Sequence, residues 1–549
     1  MRHRPRLRLL GAVSGLALIL AACEVDTDDP GVAPDDQVDD EVDPEAEPDD
    51  TDPVAGGEFS IYNCEPQSLI PQDSTEVCGS KVLDALFSGL VEYDPETYEP
   101  QLLVAESIET EDGLNWTVTI HDDFTFHDGS PVTAQSFVDA WNFAVDPEAA
   151  QRNAFFFENF VGFDEVQAGE ADELAGVEAV DDTTISIELT EPFTPLESML
   201  GYTAFYPLPE AAFDDLSAFE NAPIGNGRYQ MDGQWERDQL IAMERYEDWP
   251  GDEPGLADRI EWVIYADINT AYLDVQQGAL DILDGVPPER EAAAEQDFGD
   301  DLIRTETSTF TFLGFPTYDE RFADVDVRRA FSLAIDRQAI IDAIFAGARE
   351  PATAVIPPVL EAHRADACDA CEYDPEQAQE LLEQAGGFDD ELVVYFNSGA
   401  GHEEWVEAVS NQWRDNLGID DIRFESLEFA QYLDLLEGEE IEGPFRLGWV
   451  LSYGSPQYAM EPIYTTTGSS NYYGYSSEEF DALIAEANAT LDPDEAEQTY
   501  QQAEDVLLAD LPNIPLWYET RTTVHTPRVS NVIMDGRTFI RVEQVEVTE

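Results

Sequence analysis

The chain is almost without lysine. Lys81 is the only one in 549 residues, and lysine and arginine together number 25 against 119 acids, a net charge of −94. Such a surface repels nucleic acid and anionic lipid, which excludes a DNA- or RNA-binding role. Histidine is scarce too. The six are scattered, and His402-Glu403-Glu404, which begins like a zinc-protease motif, has Val406 where the second histidine would stand. There is no Gly-x-Ser-x-Gly elbow. Paired carboxylates of the glycosidase kind are not singled out by spacing in so acidic a chain, so a secreted hydrolase remains only a minor alternative. Beyond the first twenty residues no apolar run could span a bilayer, so the chain is not itself a permease.

Cysteine is limited to five residues. Cys23 closes Leu20-Ala21-Ala22-Cys23, after a leader with Arg2, Arg4, Arg6 and Arg8 and an apolar run over residues 9–20. This pattern reads as a lipoprotein signal, 1–22, cleaved before a lipidated Cys23. Residues 23–57 are acidic, proline-bearing and free of aromatics, a composition that predicts an extended leash. The other four, Cys64, Cys78, Cys368 and Cys371, pair most simply as Cys64–Cys78 and Cys368–Cys371 in an exported chain. A redox or zinc role for the C-x-x-C is the alternative, but no second C-x-x-C or histidine cluster completes a zinc site. The acidic surface fits a saline or alkaline medium and names no ligand.

The remaining body of about 490 residues is long enough for two or three domains. Its first half reads as strand-rich: strands at 58–63, 116–120 and 181–188, helices at 80–87 and 133–144, and a turn at 122–129 leading to a further strand. The second half reads as α/β. A long helical region covers 325–347, and Asp374 caps a helix entered through Pro375. Strand 392–396, helix 402–417 and strand 422–427 form a strand–helix–strand unit.

Three blocks then occur in order. The first runs from Tyr98-Glu99-Pro100-Gln101-Leu102-Leu103-Val104-Ala105-Glu106-Ser107 to Phe126-His127-Asp128-Gly129-Ser130-Pro131. The second is Val327-Arg328-Arg329-Ala330-Phe331-Ser332-Leu333-Ala334-Ile335-Asp336-Arg337, and the third Tyr373-Asp374-Pro375-Glu376-Gln377-Ala378. Together they resemble the family 5 extracellular solute-binding proteins of ABC importers. The resemblance implies a two-lobed α/β fold of the periplasmic-binding-protein kind (type II, cluster C-like). Lobe I would comprise 58–309 and 519–549, with an extra strand-rich subdomain at about 99–221, and lobe II 310–518. The two-segment hinge would fall near 307–315 and 516–522. It further implies a peptide or related small solute, permease and ATPase partners, a monomer, and no catalytic residue, metal or cofactor. A sensor or chaperone on the same fold is the runner-up.

In that family a Gly-Trp-x-Ala-Asp-Tyr block carries an aspartate for the peptide ammonium. Here Gly448-Trp449-Val450-Leu451-Ser452-Tyr453 keeps Trp449 and Tyr453 but has Ser452 in its place. Another acid, Glu461 for one, or a solute without a free amino end would answer this. Expected cleft residues are Trp449, Ser452, Tyr453, Trp517, Asn397 and Phe312. His127 reads as a turn residue rather than a base.

Overall fold

The computed structural model describes residues 55–251, 253–398 and 401–548; the leader, Cys23 and nearly all of the leash lie outside them. One eleven-stranded sheet runs through the body. From one edge its strands are Ile422–Leu427, Leu392–Asn397, Phe445–Trp449, Leu302–Gly314, Asn513–His525, Ile282–Leu283, Glu58–Asn63, Arg259–Ile264, Leu240–Arg245 and Tyr229–Met231. Arg349–Pro351 pairs with Asn513–His525 off this path.

Two thirteen-residue strands, Leu302–Gly314 and Asn513–His525, lie antiparallel at its centre. Their register runs from Leu302↔Val524 to Glu306↔Thr520, breaks, and resumes from Phe310↔Tyr518 to Gly314↔Asn513. In the break, the Thr307 hydroxyl donates to the Glu519 carbonyl (2.7 Å), and the Ser308 hydroxyl accepts from the Leu451 amide (3.2 Å). A bulge of this kind re-aims a strand within a continuous ladder.

Leu313, Ile514, Leu516 and Trp517 join one core with Phe331, Trp405 and Trp413 from the helices, while Phe310, Phe312 and Tyr518 face a second. Alternation along the strands produces this division, except at the register shift between Thr311 and Phe312, where consecutive Leu516 and Trp517 enter the same core. A separate antiparallel sheet holds Ala105–Thr110, Asn115–Ile120, Thr184–Glu188 and Val177–Asp181. Helix Ala134–Val145 lies against it, opened by a capping box of Thr133 and Ser136.

Local expectations meet several adjustments. The region 325–347 divides into helices Val325–Leu333 and Arg337–Ile344, because the Asp336 carboxylate accepts the Ala339 amide and caps a fresh start. Strand 181–188 is a hairpin that turns at residues 182–183. The turn at 122–129 leads only to an isolated Thr125↔Pro131 bridge rather than a strand, since Asp128 and Gly129, at φ +83°, close it locally. His127 holds this turn down: its Nδ1 accepts the Gly225 amide and its Nε2 faces the Gly227 carbonyl, with burial pushing its pKa down to about 4. Disulfides join Cys64 to Cys78 and Cys368 to Cys371. The lone lysine is buried, with Nζ 2.6 Å from an Asp284 carboxylate oxygen and 3.0 Å from the Tyr62 carbonyl. Among the described residues no helix is long and apolar enough to cross a membrane.

Candidate functional site

Strand Phe445–Trp449 is parallel to Leu392–Asn397 and antiparallel to Leu302–Gly314. Polar side chains collect where Asn397, at the carboxyl end of its strand, lies beside Arg446 near the start of Phe445–Trp449; strand carboxyl ends are where α/β sheets present ligand contacts. Arg446 Nη1 donates to Asn397 Oδ1 at 3.3 Å, and its guanidinium is drawn to Glu519. A β-carbon on Gly448 would stand 3.3 Å from Arg446 Nη2, so the glycine gives the guanidinium room to lie along the strand. Glu519 also accepts from Thr311 Oγ1 (3.1 Å) and pairs with Arg349 (3.5 Å).

His402, just before helix Glu403–Leu417, completes the group. Its Nδ1 accepts from Trp405 Nε1 at 3.2 Å, which assigns the ring proton to Nε2. Burial, then the nearby Arg446 charge, push its pKa down to about 3, so the ring is neutral at pH 7.

Three buried atoms here have no partner: Arg446 Nε, Arg349 Nε and His402 Nε2, all of them N–H donors. Buried donors left unpaired are costly, and this set calls for an oxygen-rich acceptor. With Arg446 and Arg349 against Glu519, and His402 neutral, these four side chains carry one net positive charge. An anion such as a carboxylate would satisfy these donors.

The rings lie toward the other end of the same strand. Trp449 Nε1 donates to the Tyr458 carbonyl (2.7 Å), and the Ser452 hydroxyl meets the Tyr458 hydroxyl at 3.1 Å. Tyr458 stacks near Trp449 (5.5 Å) and Tyr453 (4.6 Å), and Phe156 of the first half lies 6.3 Å away with Tyr202 beside it at 4.5 Å. Trp449, Ser452, Tyr458 and Tyr202 are half-buried, whereas Phe155 and Val450 are 49% and 48% exposed. The Tyr98 hydroxyl reaches the Leu451 carbonyl (2.9 Å), tying this loop to the first half of the chain.

The six expected residues therefore divide. Asn397 belongs to the polar cluster, Trp449 and Ser452 to the aromatic one, and Tyr453 sits behind them with its hydroxyl on Gln457 (2.7 Å). Trp517 and Phe312 are each 1% exposed. Trp517 packs between Phe345 and Trp405, and Phe312 between Phe310 and Tyr473, so both are placed as core, with Trp517 flooring His402 through Trp405. Sequence reasoning missed Arg446, Arg349, His402 and Glu519. In a chain with a single lysine, an arginine standing two residues before Gly448-Trp449 was the available signal.

A cavity of about 1100 Å³ opens elsewhere, lined by Glu109, Glu111, Asp112, Glu197, Glu361 and Glu497 among others. It shares only Gly454, Ser455 and Pro456 with the loop that follows Trp449. Its carboxylates would repel an anionic solute and suit a cationic or neutral one. Among the described residues there is no metal-holding group of His, Cys, Asp or Glu.

Comparison with known proteins bears on the family and the fold. The model of the bacterial extracellular solute-binding proteins, family 5, matches residues 99–471. The oligopeptide-binding protein OppA of Bacillus subtilis (strain 168) is 26% identical over 494 residues, covering 86% of this chain and 89% of the relative. The glutathione-binding protein GsiB of Escherichia coli (strain K12) is 26% identical over 477 residues, 84% and 89% of the two chains. The unliganded open form of the periplasmic murein tripeptide binding protein MppA superposes with a TM-score of 0.80 at 23% identity, over 90% of this chain and 99% of that one. The relatives are binding proteins of transport rather than enzymes, and the fold is the two-lobed α/β fold of periplasmic binding proteins. The chain belongs to the family 5 extracellular solute-binding proteins.

Proposed function

We propose that this protein, anchored outside the cell by lipid on Cys23, captures a short peptide or peptide-like solute between its lobes and hands it to an ABC import permease and its ATPases. The observation that carries the reading is the set of partnerless donors on Arg446, Arg349 and His402, which a solute carboxylate would satisfy. Relatives named for oligopeptides, glutathione and a murein tripeptide support a peptide-like solute.

Lobe I comprises 58–309 and 519–549, lobe II 310–518, and the break in pairing after Glu306 serves as the hinge. Solute binding shifts the population toward the closed form, with no covalent step. A thermal-shift screen of the full chain against di- to pentapeptides, each as the free acid and as the carboxyl-terminal amide, tests this. Stabilisation by the free acids, and not by their amides, is expected. Equal stabilisation by both forms, or by neither, contradicts it.

A further inference from the structure

The loop that follows strand Phe445–Trp449 is held from outside its own half of the chain. The Leu451 carbonyl accepts from the Tyr98 hydroxyl (2.9 Å), and the Gly454 carbonyl accepts from the Ser198 hydroxyl (2.8 Å). The Leu451 amide donates to the Ser308 hydroxyl (3.2 Å). All three partners fall in the residues assigned above to lobe I. Ser308 lies in the pairing break between the two central strands, so one of the bonds reaches the hinge itself. Ser198 is steadied in turn, its own carbonyl accepting from the Tyr93 hydroxyl (2.8 Å).

Tyr98 takes an uncommon backbone conformation to make its contact. Its φ is +59°, in the left-handed region that a bulky residue seldom enters. Its amide donates to the Asp94 carbonyl (2.9 Å), and its ring meets Tyr93 edge-on at 5.1 Å. In this pose the hydroxyl reaches Leu451 while the Tyr98 carbonyl lies against Gly454, where a β-carbon would stand 2.1 Å from that oxygen. One residue therefore brackets both ends of Leu451–Gly454. Strain of this kind persists where the surroundings over-determine it, and it gathers beside ligand sites. Tyr98 is only 1% exposed, so any effect it has on a solute passes through the loop. A loop bonded at both ends has less freedom to lose when a solute arrives, which is how preorganisation raises affinity.

Resting on the reading that solute is captured beside this loop, we infer that Tyr98 and Ser198 are positioning residues for capture. Neither touches the solute. From the opposite lobe they hold Leu451–Gly454, and with it the rings of Trp449 and Tyr458, in the binding arrangement.

The test uses the full-length chain and the variants Tyr98→Phe and Ser198→Ala, singly and together. Each removes one hydroxyl and keeps the packing around it. Hydrogen exchange over residues 450–456 is followed without solute, and trialanine is titrated by calorimetry. Each single variant should speed exchange in this segment and weaken trialanine by about two- to tenfold, the worth of one buried hydrogen bond. The double variant should show the product of the two effects. Ser198→Thr, which keeps the hydroxyl, should stay near wild type. Gly454→Ala, which pushes the loop off the Tyr98 carbonyl, should behave as the double variant does. Exchange over the distant strand Leu392–Asn397 and the urea midpoint should change little, whereas a merely structural role would move both.

Unchanged exchange over 450–456 in the double variant overturns the inference. Faster exchange there with trialanine affinity unchanged also overturns it, and leaves the solute reading standing. A wild type that does not take up trialanine counts against the solute reading, and the exchange rates then decide whether the loop is held as described. Should the double variant not fold, the single variants decide.

Discussion

Arg446 Nη1 rests 3.3 Å from Asn397 Oδ1 while its own Nε, buried beside it, has no partner. One edge of the guanidinium is therefore fixed and another kept open. Arg446→Ala should lower affinity for a carboxylate-ended solute by about 10- to 100-fold, the worth of one or two charge-assisted hydrogen bonds. Arg446→Lys should recover only part of it, because an ammonium cannot hold Asn397 and the solute in the same fork. Titration calorimetry of both variants measures this; wild-type affinity in Arg446→Ala would remove the residue from the site.

The two tryptophans proposed from sequence should separate cleanly. Trp517 is packed between Phe345 and Trp405, so Trp517→Ala should destabilise the fold by about 3–5 kcal/mol, seen as a lower midpoint in urea. Trp449 is half-buried at the end of its strand. Trp449→Ala should weaken solute binding with a much smaller change in that midpoint. Equal losses of stability in the two variants would contradict this division.

Stability should fall in mild acid. His127 and His402 keep folded pKa values of about 4 and about 3, below the ordinary 6.5. Each therefore contributes stability that is full above pH 6.5 and is lost as the unfolded chain takes up a proton between pH 6.5 and those values. Denaturation midpoints measured from pH 7.5 to 4.5 should decline, and the decline should be shallower in His402→Gln. An identical pH slope in that variant would show that His402 is not held neutral.

Cys23→Ser should leave the protein unprocessed or release it from the membrane. Fractionation of cells expressing the variant checks this, and normal membrane retention would contradict the lipid anchor.

Local structure was legible wherever one side chain decides it. Asp374 accepts the Gln377 amide and starts helix Pro375–Gln384, and strand Ile422–Leu427 falls on its expected residues. The division of 325–347 turned on Asp336, whose capping role depends on the chain bending there. The central ladder was out of reach of local pattern because its two strands are about two hundred residues apart in sequence, and only tertiary packing brings Leu302 opposite Val524. Aromatic residues were weighed for the cleft because they are conspicuous, yet Trp517 and Phe312 serve the core. The cationic cluster was missed because its members come from four separate segments, at 349, 402, 446 and 519, and only the fold assembles them.

The account rests on a carboxylate being the group that the partnerless donors await. Its most direct test is titration of wild-type and Arg446→Ala chains, side by side, with one tripeptide as its free acid and as its carboxyl-terminal amide. The account predicts tight binding for the wild type with the acid alone, and loss of the acid–amide difference in the variant. An amide that binds the wild type as well as the acid would contradict it.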